Sequence, residues 1–198
     1  GLDHPKVLSY VDVLRDRKPV GGKVAIIGAG GIGVDVAEFL LHDVGQTTAQ
    51  FEAAWGIDPQ VKQAGGLTTP VPHAPRREVW LLQRKPATRR MGAGPGRTTG
   101  WVHRLVLERE GVHLLGGVEY VRVDDAGLHI LLEGSPKVLP VDHVVVCAGQ
   151  ESVRDLVLTT ASGAVEDPRF HLIGGAEVAA ELDAMRAIRQ GTELAARL

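Results

Sequence analysis

Gly22 to Gly33 reads GKVAIIGAGGIG, and Val34 to Leu41 continues it as VDVAEFLL. Lys23 to Ile27 is a short apolar run rich in β-branched residues and bounded by glycines, the pattern of a strand buried on both faces. From Ile32 the apolar positions Ile32, Val36, Phe39 and Leu40 recur at helical spacing. The glycines therefore stand at a strand-to-helix turn. Gly28, Gly30 and Gly33 are the three positions where such a turn needs a tight bend, close backbone approach and tight helix packing, and Gly31 lies between them. The amides at the start of the helix, with the positive end of its dipole, then face a pyrophosphate.

Working outward, Glu78 to Gln83 predicts a second strand, Trp101 to Glu110 a helix, and Val112 to Leu115 a third parallel strand. Residues 118 to 140 alternate as two or three antiparallel strands, with turns at 125–127 and 134–136. Val144 to Cys147 is a further buried strand. Residues 42 to 77 are polar and rich in Gly and Pro, with a short helix near Ala49 to Trp55, and form a long excursion. Phe170 to Ile173 reads as one more strand and Glu177 to Leu198 as a helical tail. The pattern predicts an α/β fold: a Rossmann-like NAD(P)-binding domain with a parallel sheet and an antiparallel meander. Residues 1–20 read as a connector with a helical turn over Ser9 to Arg15, residues 21–149 as the nucleotide domain, and residues 150–198 as a segment of another domain.

Composition narrows the function classes. A formal charge of −2, with 44% hydrophobic and 23% charged residues, is that of a folded globular chain without the basic face that nucleic acid requires. No run approaches the length of a membrane span and the N-terminus lacks a signal-peptide pattern, so the expected setting is the cytoplasm. The chain opens on Gly1 without Met, which favours an excised segment. Cys147 is the single cysteine, so neither an intrachain disulfide nor a cysteine-ligated iron–sulfur cluster can be held by this chain alone. The eight histidines show no metal-ligand spacing, so no metal is expected. His103, at the start of a helix, fits a surface or capping role. No residue has the pattern of a catalytic acid.

Coenzyme choice is set where the second strand ends. That end reads Gln83-Arg84-Lys85. It has no carboxylate for a ribose 2′-hydroxyl and two cations for a 2′-phosphate, Arg84 through its planar fork and Lys85 as a point charge. NADPH is expected over NADH. Arg89 and Arg90 are further candidates with less positional support. The stretch Gly92 to Thr99 fails the phosphate-loop pattern, because its glycines alternate and Arg97 replaces the lysine. It could instead close over the dinucleotide with Arg97 near a phosphate.

The sequence resembles the bacterial NADPH-dependent 2,4-dienoyl-CoA reductases, which are fusions to an NADH:flavin oxidoreductase barrel of the old yellow enzyme type. The resemblance rests on GKVAIIGAGGIG at 22–33, WGID at 55–58, QAGGL at 63–67, LQRK at 82–85, TTGW at 98–101 and CAGQE at 147–151, and continues through HLIGG at 171–175 and ELDA at 181–184. It implies a TIM barrel with FMN, a 4Fe-4S cluster, and FAD and NADP(H) domains, with hydride passing from NADPH to FAD and electrons onward to an unsaturated acyl-CoA. This chain would match the C-terminal part. Its partners would then be the missing half of the FAD domain and the barrel of the same polypeptide, with residues 1–20 leaving the FAD domain and residues 150–198 closing it. Ala148 and Gly149 would border the nucleotide, and Gly175 and Glu177 would lie near the flavin's ribityl or phosphate chain. Two departures stand out: Glu177 replaces the usual Asp, and Ser152-Val153-Arg154 replaces Pro-Asn-Arg. The alternatives are a related enoate or amine-type flavin dehydrogenase and a stand-alone nucleotide-binding module.

Overall fold

The computed structural model describes residues 1–42, 45–71, 74–86, 99–157, 167–180 and 184–198. The chain divides into two compact units, Gly1–Ala148 and Gly149–Leu198. The first holds a five-stranded parallel sheet: β1 (Val7–Ser9), β2 (Lys23–Ile27), β3 (Glu78–Leu82), β4 (His113–Leu115) and β8 (His143–Val146), in the order β1-β8-β2-β3-β4. A separate antiparallel meander, β5 (Val118–Asp124), β6 (Gly127–Leu132) and β7 (Ser135–Leu139), links β4 to β8. Helices α1 (Tyr10–Leu14), α2 (Gly31–Leu41), α3 (Thr48–Trp55) and α4 (Gly100–Arg109) complete this unit. The expected α/β fold is the one observed.

The sheet is central because its strands are apolar on both faces. Val24, Ala25 and Ile26 of β2 are completely buried. Val24 and Ile26 face the core shared with α1, α2 and α4, where Val34, Val36, Leu40 and Leu107 pack. Ala25 faces the opposite core with Trp80 and Leu82 of β3 and with Leu128, Ile130 and Leu139 of the meander. Period-two alternation along each strand thus sends neighbouring residues into different layers. The result is three layers: helices, parallel sheet and antiparallel sheet.

The leading segment does more than connect. Val7–Ser9 pairs in parallel with Val144–Val146 as an edge strand of the main sheet. Ser9 then caps α1, accepting from the Asp12 amide at 3.1 Å while the Asp12 carboxylate accepts from the Ser9 amide at 2.7 Å. This reciprocal box satisfies two donors at the helix start. In the meander, Glu133 and Gly134 both take positive φ, as a two-residue hairpin loop requires.

The excursion after α2 is ordered where described. Thr47 and Gln50 form a capping box on α3, and Gly56 ends that helix in the left-handed region at φ 68. The Asp58 carboxylate accepts from the amides of Gln60 and Gln63, and an isolated bridge joins Ile57 to Leu67. Arg109 of α4 lies over the Trp55 ring at 4.2 Å and donates to the Ala54 carbonyl, pinning α3 to α4.

The second unit departs from expectation in two places. Phe170 to Ile173 forms no strand; among the described residues of this unit there is no strand for it to pair with. A 3-10 turn over Gly174–Ala176 precedes the tail expected to be helical from Glu177; residues 178–180 are not helical, and α5 runs over Ala184–Ala195. Arg154 holds the turn by donating to the carbonyls of Ala176 and Glu177 at 2.8 and 2.7 Å. Gln190 of α5 accepts from the Gly174 amide at 2.7 Å and donates to the Glu177 carboxylate.

One contact sets the seat of α2 on β2. A Cβ added at Gly33 would lie 1.8 Å from the carbonyl oxygen of Gly28, which is backbone and cannot swing aside. At Gly31, two residues earlier, an added Cβ meets nothing within 4 Å. Gly33→Ala should cost about 3 kcal/mol or more, a fall of roughly 6–12 °C in Tm. Gly31→Ala should stay within about 0.5 kcal/mol of the parent; parallel thermal melts of the two variants check both.

Candidate functional site

The C-terminal ends of β2, β3 and β8 lie side by side, and each is followed by one of the segments singled out in the sequence. Gly28 follows β2 with φ 110, a conformation that L side chains rarely adopt. Its amide donates to the Leu82 carbonyl at 2.9 Å, and the Cys147 amide donates to the Ile27 carbonyl at 2.8 Å. A Cβ on Gly28 would also meet the Cys147 carbonyl group at 3.0 Å and the Ala148 amide nitrogen at 3.2 Å. Conformation and contact both demand glycine there. Gly30 is the N-cap of α2, in extended conformation, and neither it nor Gly31 has anything within 4 Å of an added Cβ.

The three glycines of the fingerprint therefore meet three different demands. Gly28 makes the bend and Gly33 lets the helix close on the strand, while Gly30 keeps backbone open on the outer side. First-turn amides of a helix have no partner within the helix, and the first turn of α2 contains no acidic residue to compete with an anion. This arrangement can bind a diphosphate through main-chain N–H groups and the helix dipole.

Arg84 and Lys85 stand at the end of β3 on the same edge of the sheet. Both are exposed. Among the described residues neither side chain makes a hydrogen bond or ion pair, and both are available to an anionic ligand. Ala148 ends the first unit beside Gly28, and Gly149 opens the second with φ 86. Arg97, Arg89 and Arg90 lie outside the described residues. Gly175 and Glu177 belong to the second unit: Gly175 is half-buried in the 3-10 turn, and the Glu177 carboxylate is engaged by Gln190. The expected geometry of a strand running directly into a helix at Gly174-Gly175 is absent there. His103 hydrogen-bonds Glu38 of α2 at 2.8 Å and ties α4 to α2.

Burial raises the Cys147 thiol to about 12, so it stays protonated at neutral pH. Among the described residues no group of His, Cys, Asp and Glu could hold a metal ion, and no helix is long and apolar enough to cross a membrane. A cavity of about 590 Å³ lies between the C-terminal end of α2, α3 and α4, lined by Leu41, Phe51, Trp55, Pro70, Val106 and Arg109 among others. It is at the other end of α2 from the glycine turn, an axial distance of roughly 15 Å. The candidate dinucleotide site is instead the open edge of the sheet, where strand ends and helix amides converge, the arrangement in which open α/β sheets bind nucleotides.

The family model for pyridine nucleotide-disulphide oxidoreductases matches residues 4–170. The chain belongs to this family. It carries the NAD(P)H-binding Rossmann-like fold of these flavin-dependent oxidoreductases, although its single cysteine supplies no dithiol pair. Among solved structures, it is similar to a 2-naphthoyl-CoA reductase in complex with 2-naphthoyl-CoA, at TM-score 0.64 and 19% identity, covering 96% of this chain and 23% of that one. It is similar to 6-hydroxypseudooxynicotine amine oxidase from Pseudomonas geniculata N1 at TM-score 0.51 and 16% identity, covering 77% and 18%. The HOCl-induced flavoprotein disulfide reductase RclA from Escherichia coli, as a Cu(II) complex, aligns at TM-score 0.52 and 14% identity, covering 94% and 37%. At these identities the likeness is one of fold. This chain spans less than a quarter of the length of the first two proteins.

The turn from Leu115 to Val118 was not among the sequence candidates. It holds the Gln83–Lys85 backbone through hydrogen bonds that continue beyond β3 and β4. Its only sequence signal is Gly116-Gly117 between a strand and the meander.

Gly30→Val should leave stability within about 1 kcal/mol of the parent while lowering pyridine-nucleotide affinity about tenfold or more; a melt and a calorimetric titration on one preparation separate the two effects. Cys147 should resist iodoacetamide at pH 8 in the folded chain and react readily in urea, and rapid native labelling would contradict the protonated, half-buried thiol.

Proposed function

We propose that this chain is the NADPH-binding portion of a flavin-dependent reductase, and that the whole enzyme is a 2,4-dienoyl-CoA reductase acting in the β-oxidation of unsaturated fatty acyl-CoA. The observation that carries the coenzyme reading is the end of β3. Arg84 and Lys85 are exposed there, no carboxylate stands in their segment, and the phosphate-binding glycines of the neighbouring strand lie on the same edge of the sheet. A 2′-phosphate would meet the fork of Arg84 and the ammonium of Lys85. The amides of α2 would hold the diphosphate, and the Gly28–Ala148 contact keeps the ends of β2 and β8 together beneath it.

The substrate class rests on the motifs shared with the dienoyl-CoA reductases, which run from 22–33 to 181–184 and include the excursion. The similar fold of a 2-naphthoyl-CoA reductase, a protein named for an acyl-CoA substrate, accords with that assignment. When bound, NADPH would supply a hydride for FAD to accept, and in the full enzyme a 4Fe-4S cluster and FMN on a barrel domain would carry electrons to the acyl-CoA. This chain's part is to bind and orient the nucleotide. Residues 150–198 would close the FAD domain, with Gly175 and Glu177 towards the flavin and Gln190 fixing Glu177 in place. The exposed apolar side chains of this unit, Met185 and Ile188 on α5 with Leu156 and Val153, would be covered by the remainder of that domain.

Replacing both cations, Arg84→Ala with Lys85→Ala, should weaken NADPH by about 10- to 100-fold, as expected for losing charge-assisted hydrogen bonds. NADH should change by about twofold or less. Calorimetric titration of both coenzymes checks this, and equal losses would remove the 2′-phosphate assignment. Assay of the full-length enzyme with a dienoyl-CoA and with an amine substrate decides the reaction class.

A further inference from the structure

The two cations that select the coenzyme stand on a backbone whose geometry is imposed from the next strand connection. Regular pairing of β3 with β4 ends at Leu82 and Leu115. Hydrogen bonding does not end there. The Gln83 amide donates to the Leu115 carbonyl at 2.9 Å, the Val118 amide to the Gln83 carbonyl at 3.1 Å, and the Gly117 amide to the Lys85 carbonyl at 2.8 Å. Both backbone polar groups of Gln83 and the carbonyl of Lys85 are thus tied to one turn, leaving the side chains of Arg84 and Lys85 outside.

We propose that the Leu115–Val118 turn, with Gly117 at its centre, is the positioning element of the 2′-phosphate site; this rests on the coenzyme reading given above. Long cationic side chains select a phosphate only if their Cα positions are held, because misplacing a charge-assisted contact by an ångström forfeits most of it. Gly117 reaches Lys85 by taking φ 72. An added Cβ there meets nothing within 4 Å. Glycine is therefore required by conformation and not by space, and a residue that tolerates the left-handed region keeps the bond.

A second group comes from the same connection. Tyr120, two residues into β5 from Val118, is half-buried; burial raises its phenol to about 12, while the charge of Arg84 acts in the opposite direction. The turn therefore brings a backbone anchor to Lys85, and the strand that it opens carries a phenol on which the charge of Arg84 acts. Gly117 is a positioning residue: it acts on the coenzyme through Lys85 and Arg84.

Three substitutions separate this role from simple structural damage. Gly117→Pro removes the donor and cannot take positive φ, Gly117→Ala keeps the donor under strain, and Gly117→Asn keeps the donor in a residue that visits the left-handed region. Kd for NADPH and NADH is measured by calorimetry on the chain with each substitution, alongside a thermal melt. The expected result is a fall of about tenfold in the NADPH-to-NADH affinity ratio for Pro, a smaller fall for Ala, and recovery to within about twofold for Asn. Where Pro does not fold, the ordering of Ala against Asn decides. An unchanged ratio, or equal loss of both coenzymes, overturns the positioning role. If Arg84→Ala with Lys85→Ala lowers NADPH selectively and the Gly117 series does not, only the positioning role falls; if the double substitution is itself unselective, the coenzyme reading falls with it.

Discussion

The fold depends on how closely one helix can approach one strand end. The carbonyl oxygen of Gly28 lies so near the α carbon of Gly33 that no side chain fits between them. This approach places the start of α2 over the end of β2, buries Val34 and Val36 against Val24 and Ile26, and leaves the outer amides of the turn bare. A Cβ at position 33 would push the helix away from the sheet. The amides would then lose their common direction.

Around that contact, the two faces of the sheet have separate tasks. One face packs against helices through Val24, Ile26 and Leu81, and the other is covered by the meander through Ala25, Trp80 and Leu82. Because both faces are occupied, the open part of the sheet is its edge at the strand ends. The candidate ligand groups collect there: glycines after β2, cations after β3, and Ala148 after β8. The meander also reaches the site through the turn that opens it. A layer that looks like a cover thereby shapes the segment carrying Arg84 and Lys85.

Legibility in the sequence followed the source of each element's stability. The strand Lys23–Ile27 and the helix after it were readable because burial on both faces, followed by a 3.6-residue period, leaves a composition that only one arrangement satisfies. The meander was readable from alternation and its turn residues. Three-residue Val7–Ser9 reads as part of a connector, since so short an edge strand has no period and exists through pairing with β8. The opposite error occurred at Phe170–Ile173, where an apolar run looked like a strand although strandedness needs a neighbour. At the candidate site, residue types point to Gly28, Gly30, Gly33, Arg84 and Lys85, and the parallel pairing of β2 with β3 brings the glycine turn and the two cations to one edge of the sheet. Gly117 gives no such signal, because its link to this segment is a main-chain hydrogen bond to a partner 32 residues earlier, and a lone Gly-Gly before a strand does not disclose it.

The strand order carries a consequence for how the molecule is made. β8 lies between β1 and β2, yet it follows both in the chain and is separated from β2 by the excursion, two strands and the whole meander. During synthesis β1 and β2 emerge early but are not neighbours in the finished sheet, and the strand that joins them has not yet been made. Each leaves a row of unpaired main-chain groups open to a wrong partner until residue 146 arrives. Insertion of β8 is the closing step of sheet assembly, and its long loop closures slow it. Among the described strands, the one that completes this sheet is thus the one synthesised last.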